Sequence, residues 1–460
     1  MNSPLNTVFL VLEKYGHLSD VLRSEFFPHL AKEYRVVVLT RWIDEEEAKW
    51  QGYYVNQNTI YQPIHVRYAW LWDTVSRYIR LYFIREHDSL ATIQILDYGR
   101  IPNRWHRILM IIGSFIPARL LTVRRYTRIE KCIARPSREF RELVEKYQPR
   151  LILTAATGTS ALEAEVIIFA KHVGIPTVAV EFNHDFPYSK SKTTRLPDYI
   201  FAWNHVMKRE IERVMHYPEE RVLVTGCLRY DHYINDRKYN RIPSRDAFLE
   251  SKGLDPSKKT ILWATPTPGI YKMRGEFLRT LVRLKREKLL MGDPNIFVRL
   301  HPIDVIGPYR EYMDIPGLHI ERSGRVVRGD EETPEYKVEM DKNDMVNMTA
   351  TFLYCDVVVC HASTIVVEAA LFDKPIVGMG FPEIPRRIYE LENNKVLLER
   401  GVERLADTPE QLCTLVNQYL ENPALDRKER RSVASEWAPF SDGLSYKRAV
   451  NAIGKIIGNS

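Results

Sequence analysis

The chain has 460 residues, 45% of them hydrophobic and 27% charged, with a net charge of +7. That length exceeds a single compact core and points to two domains, while the composition excludes a disordered or fibrous chain. No apolar run approaches the ~18 residues of a membrane-spanning helix, and five cysteines (Cys132, Cys227, Cys355, Cys360 and Cys413) with no C-x-x-C pair or zinc spacing imply reduced thiols and no structural zinc.

The opening "MNSPLNTVFLVLEKYG" lacks a basic n-region, and its apolar stretch from Val8 to Leu12 is too short for a signal peptide, so it predicts a first strand over 7–12. Gly16 and His17 follow it, ahead of a helix. A second strand is predicted over 35–40, and then the character of the chain changes. The aromatic stretch "YAWLWDTVSRYIRLYF" leads into a region in which Arg100, Arg104, Arg107, Arg119, Arg124, Arg125, Arg128, Lys131, Arg135 and Arg138 face one acid, Glu130. That stretch alone carries more than the net charge of the whole chain. Within it, "ILMIIGSFIPARLL" is apolar but too short to span a bilayer. Three readings fit: a surface for an anionic membrane through residues 66–138, core helices with a solvated basic face, or nucleic-acid binding, the last without a supporting motif.

Further strands are predicted over 150–155, 177–182, 198–203 and 221–226, with helices over 159–173 and 204–216 between them. The fourth strand of the whole series runs into "AVEFNHDFPYSKS", which sets Asn183, His184 and Asp185 at a strand end. His17, His184 and Asp185 have the chemistry of a general base that activates a hydroxyl. Next comes "NDRKYNRIPSRDAFLESKGLDPSKK" (235–259), polar and without an apolar period, which predicts an interdomain connection.

A second series of strands is predicted over 260–265, 296–300, 318–321, 356–360 and 375–379, with helices over 274–290 and 343–354. Near-continuous apolar strands joined by helices predict parallel sheets. The fold class is α/β, two Rossmann-like doubly wound domains facing a cleft: residues 1–235 with a basic helical insertion at about 66–148, residues 236–440, and a last helix over 441–460, N-capped by Ser441, that crosses back. Ligands of such sheets gather beyond the carboxyl ends of the strands. There "WATPTPG" offers Thr265, Thr267 and Gly269, and "FVRLHP" ends in Arg299, His301 and Pro302. "HASTIVVEAALFDKPIV" sets Ser363 and Thr364 at a helix start, an anion site, with Glu368 one turn on for the hydroxyls of a ribose. Gly378 and Gly380 predict a close-packed turn. No Asp-x-Asp, P-loop, H-E-x-x-H or G-x-S-x-G occurs, so no metal site is expected.

"RLHP", followed about sixty residues later by "HASTIVVEAALFDKPIV", resembles the donor-binding half of GT-B glycosyltransferases over roughly residues 150–435. The nearest resemblance is to CDP-glycerol glycerophosphotransferases and capsular-polysaccharide transferases, with non-hydrolysing UDP-N-acetylglucosamine 2-epimerases as structural cousins. The resemblance implies that Arg299 and His301 lie by the donor phosphates, that Ser363 and Thr364 bind the pyrophosphate, and that Glu368 holds the ribose. At His184 the relatives often carry His-Gly where this chain has His-Asp. The same resemblance implies a metal-independent, cofactor-free transferase of capsule or other cell-surface glycan synthesis. It would move a sugar or polyol-phosphate unit from a UDP-, CDP- or CMP-linked donor to a glycan or lipid-linked acceptor, in the cytoplasm or peripherally on the inner face of the plasma membrane. A 2-epimerase-like isomerase, or a non-catalytic nucleotide- or nucleic-acid-binding protein, is the alternative.

Overall fold

The computed structural model describes residues 5–64, 70–98, 104–117, 120–133, 137–158, 160–269, 271, 274–328, 337–381 and 383–458. The chain forms two compact units: unit 1 comprises residues 1–229 and 444–460, unit 2 residues 230–443. Of the residues in the basic stretch, Arg100, Arg119 and Arg135 lie outside the described residues.

Unit 1 is built on seven parallel strands: β1 (Thr7–Val11), β2 (Arg35–Thr40), β3 (Thr59–Pro63), β4 (Leu151–Thr154), β5 (Thr177–Val180), β6 (Tyr199–Ala202) and β7 (Val222–Val224). Their order is β3-β2-β1-β4-β5-β6-β7. β1 pairs with β2 (Thr7↔Arg35) and with β4 (Val8↔Leu151). β1 and β4 are buried throughout because helices cover both faces, so their sequences show no alternation. Phe9 and Val11 meet Phe140, Leu143 and Tyr147 of the helix Arg138–Tyr147, and Phe169 of the helix Ala161–Val173, in one core cluster.

The last helix, Ser445–Gly458, belongs to unit 1. It buries Tyr446, Ala449, Val450, Ile453, Ile456 and Ile457, and Tyr446 packs on His29 with ring centroids 4.3 Å apart. Its start corrects the expected N-cap: Ser441 is exposed and precedes a turn at Gly443, where φ is +68°, so the helix begins only at Ser445.

Unit 2 has a six-stranded parallel sheet and a short antiparallel hairpin. Its strands are β8 (Thr260–Ala264), β9 (Asn295–Leu300), β10 (Leu318–Arg322), β11 (Arg325–Arg328), β12 (Lys337–Glu339), β13 (Val357–Cys360), β14 (Ile376–Met379) and β15 (Arg404–Ala406). The sheet order is β10-β9-β8-β13-β14-β15, and β11 pairs with β12. Both sheets thus begin in the middle, grow to one side, and resume on the other side of their first strand.

The segment 235–259 is structured rather than a plain connection. It contains the end of the helix Leu228–Lys238 and the helix Arg245–Ser251. The apolar period is missing because polar side chains occupy buried positions and are paired there: Asp236 accepts from Thr349 (3.2 Å) and Arg241 (3.4 Å), and Asn235 donates to the Gly443 carbonyl (3.2 Å). Gly378 lies within β14 instead of a turn, and a Cβ there would come within 2.4 Å of Tyr389 Oη and 3.0 Å of Glu403 Oε2. All five cysteines are free thiols.

Candidate functional site

Each sheet reverses direction of growth beside its first strand, between β8 and β13 in unit 2 and between β1 and β4 in unit 1. Loops leaving the carboxyl ends of strands at such a point line the crevice where ligands of doubly wound sheets bind. In unit 2 the loops after β9, β8 and β13 leave three adjacent parallel strands, each pair about 5 Å apart. The Arg-Leu-His-Pro turn, Thr265 and the Ser-Thr stretch therefore share one edge.

Thr265 ties the first two of these loops. Its N–H donates to the Arg299 carbonyl (3.0 Å), and its hydroxyl accepts from the His301 N–H (2.8 Å) and donates to Asp304 (3.3 Å). Asp304 is fully buried and takes both oxygens to Arg274 Nε, at 2.8 and 3.0 Å, while accepting from Tyr309 Oη (2.8 Å). This internal ion pair fixes the turn that carries His301. Ile303 N–H donates to His301 Nδ1 (3.3 Å), which places the proton of the neutral ring on Nε2. Burial pulls the His301 pKa down to about 4, against Asp304, so at neutral pH the ring is an uncharged donor through Nε2.

Arg299, expected at the rim, is buried inside the sheet edge. Its Nη1 donates to Glu321 (2.9 Å), which also accepts from Asn347 (2.7 Å) and Lys252 (2.6 Å). Burial alone would raise the Glu321 pKa, but His319, Arg299 and Lys252 hold it down to about 2. Arg299 thus spends its charge within unit 2, within electrostatic reach of Tyr233, Asp344 and Glu368.

Ser363 and Thr364 precede a helix of only seven residues, Ile365–Leu371. Thr364 is its N-cap but has helical dihedrals, φ −56° and ψ −23°, and makes no side-chain cap. Ser363 Oγ meets Ile365 N–H only at 3.5 Å. Neither hydroxyl closes the first turn, contrary to the capping expectation, because a residue already in helical conformation cannot point its oxygen back at the N3 amide. Glu368 is buried, and Tyr233 Oη donates to its Oε2 (2.6 Å), with Tyr233 packed edge-on against Phe352 and Phe372. The tyrosine lies 135 residues upstream, and nothing in the sequence signals the pairing.

In unit 1, Gly16 and His17 stand in the first turn of the helix Tyr15–Leu22 rather than in a free loop. His17 stacks on Phe182 (5.8 Å, 29°), and burial, aided by Lys14, Lys190 and Arg229, lowers its pKa to about 3. His184 follows β5 at the same edge; burial lowers its pKa too, against Asp185. Asp185 is the N-cap of the short helix Phe186–Ser189 through its carbonyl, without a side-chain cap.

Three buried acids beside these residues are not singled out by the sequence patterns above. Glu13 accepts from Leu162 N–H (2.6 Å), Glu181 accepts from Thr157 N–H (2.7 Å) and pairs with Lys190 (3.5 Å), and Glu163 accepts from Ser160 Oγ (2.6 Å). Glu13 and Glu181 directly follow strands, and Ser160-x-x-Glu163 has the spacing of a capping box, so a signal for each was present.

The basic segment of unit 1 carries a second surface. On the helix Arg104–Ser114 and just beyond it, Trp105 (63% exposed), Ile108, Ile111 (58%), Ile112 and Phe115 (81%) face solvent. On the helix Val123–Ile133 the exposed residues include Arg124, Arg125, Arg128 and Lys131. Glu130, the one acid of the region, is buried, where it accepts from Ser76 and Thr194 and pairs with Arg80 and Arg195. A cavity of about 790 Å³ in unit 1 has walls that include Arg124, Arg128, Lys171 and Arg221.

A profile of the CDP-glycerol:poly(glycerophosphate) glycerophosphotransferase family matches residues 143–455. Among solved structures, the wall teichoic acid polymerase TagF soaked with CDPG is similar with a TM-score of 0.52 and 11% identity, over 99% of this chain and 89% of that one. The S. aureus MnaA–UDP structure is similar at 0.53 and 15%, over 99% and 97%. A UDP-GlcNAc 2-epimerase from Neisseria meningitidis bound to UDP-GlcNAc is similar at 0.53 and 12%, over 98% and 100%. At these identities the likenesses show a shared GT-B-like fold. A search of curated proteins found no match. The profile spans about two thirds of the sequence, including the whole edge that carries Thr265, His301, Ser363, Thr364 and Glu368, and the chain belongs to the CDP-glycerol:poly(glycerophosphate) glycerophosphotransferase family, nucleotide-donor transferases of cell-wall polymer synthesis.

Proposed function

We propose that the chain moves a polyol-phosphate or sugar unit from a CDP- or UDP-linked donor to an acceptor hydroxyl, without a metal. Unit 2 holds the donor, and a base of unit 1, His17 or His184, takes the proton of the acceptor. The observation that carries this reading is the convergence of three loops on the reversal point of the unit 2 sheet, with Thr265 stapling two of them. His301 Nε2–H and the hydroxyls of Ser363 and Thr364 are donors suited to a diphosphate, stabilising the charge that grows on the departing nucleotide. Glu368, held by Tyr233, is the carboxylate this reading assigns to the ribose hydroxyls.

Thermal melting with CDP, CMP, UDP, GDP and ADP tests it. A nucleotide at ~100 times its dissociation constant adds about 2.7 kcal/mol of apparent stability. We expect CDP or UDP to do so, with the gain lost in Glu368→Ala and Thr364→Ala, and transfer to persist in EDTA. Undiminished shifts in both variants, or conversion of UDP-N-acetylglucosamine without any acceptor, would overturn the assignment.

The acceptor in this reading is lipid-linked, and the enzyme works peripherally at the cytoplasmic face of a membrane. The exposed apolar side chains of Arg104–Ser114, and the exposed Arg124, Arg125 and Arg128 of Val123–Ile133, suit an anionic lipid surface, where rings and aliphatic chains enter the headgroup layer and guanidinium groups meet phosphates. A core helix would bury them. Among the described residues no helix is long and apolar enough to cross a bilayer.

A further inference from the structure

We propose that Glu163 is a positioning residue: its open carboxyl oxygen holds the His17 ring with the proton on Nδ1, so that Nε2 is the atom that takes the proton from an acceptor hydroxyl. The inference rests on the transferase reading and chooses among the base candidates of unit 1.

The geometry begins with topology. His17 follows β1 and Glu163 follows β4, the two neighbouring strands at which the unit 1 sheet reverses, so the pair straddles the point where a ligand of this sheet would sit. His17 Nδ1 and Glu163 Oε1 face each other at 3.9 Å. Both atoms are shielded from solvent, and neither has a hydrogen-bond partner among the described residues. Burying a polar atom unpaired is costly, and closing this gap by about 1 Å satisfies two at once. The partners are otherwise fixed, His17 by stacking on Phe182 and Glu163 by Ser160 Oγ on its other oxygen.

Among the described residues, the other acids near His17 are engaged elsewhere. Glu13 and Glu181 are tied to the amides of Leu162 and Thr157, and Lys190 is paired with Glu181. Lys14, Lys190 and Arg229 bear on His17, and Lys14, Glu181 and Glu13 bear on Glu163. His17 is neutral under these influences, so its use depends on which nitrogen carries the proton. Burial also lifts the Glu163 pKa to about 7. Once ionised, the carboxylate accepts Nδ1–H and leaves the Nε2 lone pair open. The acceptor proton then goes to Nε2 while the acceptor oxygen bonds to the electrophilic centre of the donor. The bond from that centre to the nucleotide phosphate oxygen breaks, and its electron pair leaves with the nucleotide.

Glu163→Gln gives the sharp test. Ser160 continues to hold the amide oxygen, which turns the NH2 toward Nδ1 and forces the proton of the ring to Nε2. Ring ¹⁵N shifts of His17, assigned by their loss in His17→Asn, should show Nδ1–H in the wild type at pH 8 and Nε2–H in Glu163→Gln. With a CDP- or UDP-linked donor, kcat should fall about 10²-fold or more while KM for the donor holds. In the double variant Ser160→Ala, Glu163→Gln the amide can rotate, and part of the lost kcat should return, whereas a merely structural role predicts a deeper loss. A wild-type ring protonated on Nε2 at pH 8, or a Glu163→Gln chain with undiminished kcat, overturns the proposal. A wild-type chain that shows the expected tautomers but transfers from no nucleotide donor overturns the transferase reading and leaves the pair standing.

Discussion

Glu403 shows what a single residue can hide. It stands just before β15, buried, with Oε2 unpaired among the described residues and near the Tyr389 hydroxyl, and burial pushes its pKa up to about 8. In the folded chain the carboxyl stays protonated to about pH 8, but in the unfolded chain it ionises near 4.5. Stability therefore falls as pH rises between those values, by up to about 1.4 kcal/mol per unit, and is flat above. Glu403→Gln should match the wild type at pH 4 and exceed it at pH 8 in urea titrations, and parallel curves at both values would refute the assignment. Nothing in "LLERGVERLAD" separates this glutamate from its exposed neighbour Glu399. That His301 and Ser363 lie at the carboxyl edge of the unit 2 sheet was legible, because each closely follows a strand. Arg299 was half legible: its place in the strand was plain, but not that its partner is Glu321, a residue of the neighbouring strand. Glu163 was passed over because a charge in the first turn of a helix ordinarily faces water.

Elements with a strong pattern were read well. Eleven strands predicted from β-branched runs are present, with boundaries that move by one or two residues. β3 was missed because it is a half-buried edge strand, "TIYQP", that ends in proline, and β15 because three residues carry no period. The helix Arg104–Ser114 was the ambiguous element: its apolar residues predict a core face and a membrane face equally until their exposure is known. Its seat is close, since a Cβ at Gly113 would lie 2.0 Å from the Tyr82 carbonyl oxygen. With Ile111 and Phe115 both changed to Ser, binding to vesicles containing anionic phospholipid should weaken at least about tenfold, given ~1.5–3 kcal/mol for each large apolar side chain withdrawn from water. Arg124 and Arg128 changed to Gln should instead flatten the salt dependence. Wild-type chain that ignores such vesicles at low salt would remove the membrane reading.

At the scale of the molecule, the two sheets repeat one plan, and the last helix completes the first unit. Ending the chain at Gly443 removes Tyr446, Val450, Ile453, Ile456 and Ile457 from the unit 1 core. At ~1.5–3 kcal/mol per side chain the loss rivals the ~5–15 kcal/mol stability of an entire domain. Calorimetry should then show the unit 1 transition abolished and the unit 2 transition kept; two intact transitions would contradict this role for the helix.

The same connectivity bears on synthesis. Because the chain leaves unit 1 at Arg229 and returns only at Leu444, every residue of unit 2 emerges from the ribosome before unit 1 has its final piece. The second-made half can thus mature while the first-made half still waits, reversing the usual order of folding during translation. A nascent chain arrested once Gly443 has emerged, but before Leu444 and the last helix have, would hold unit 2 alone in finished form.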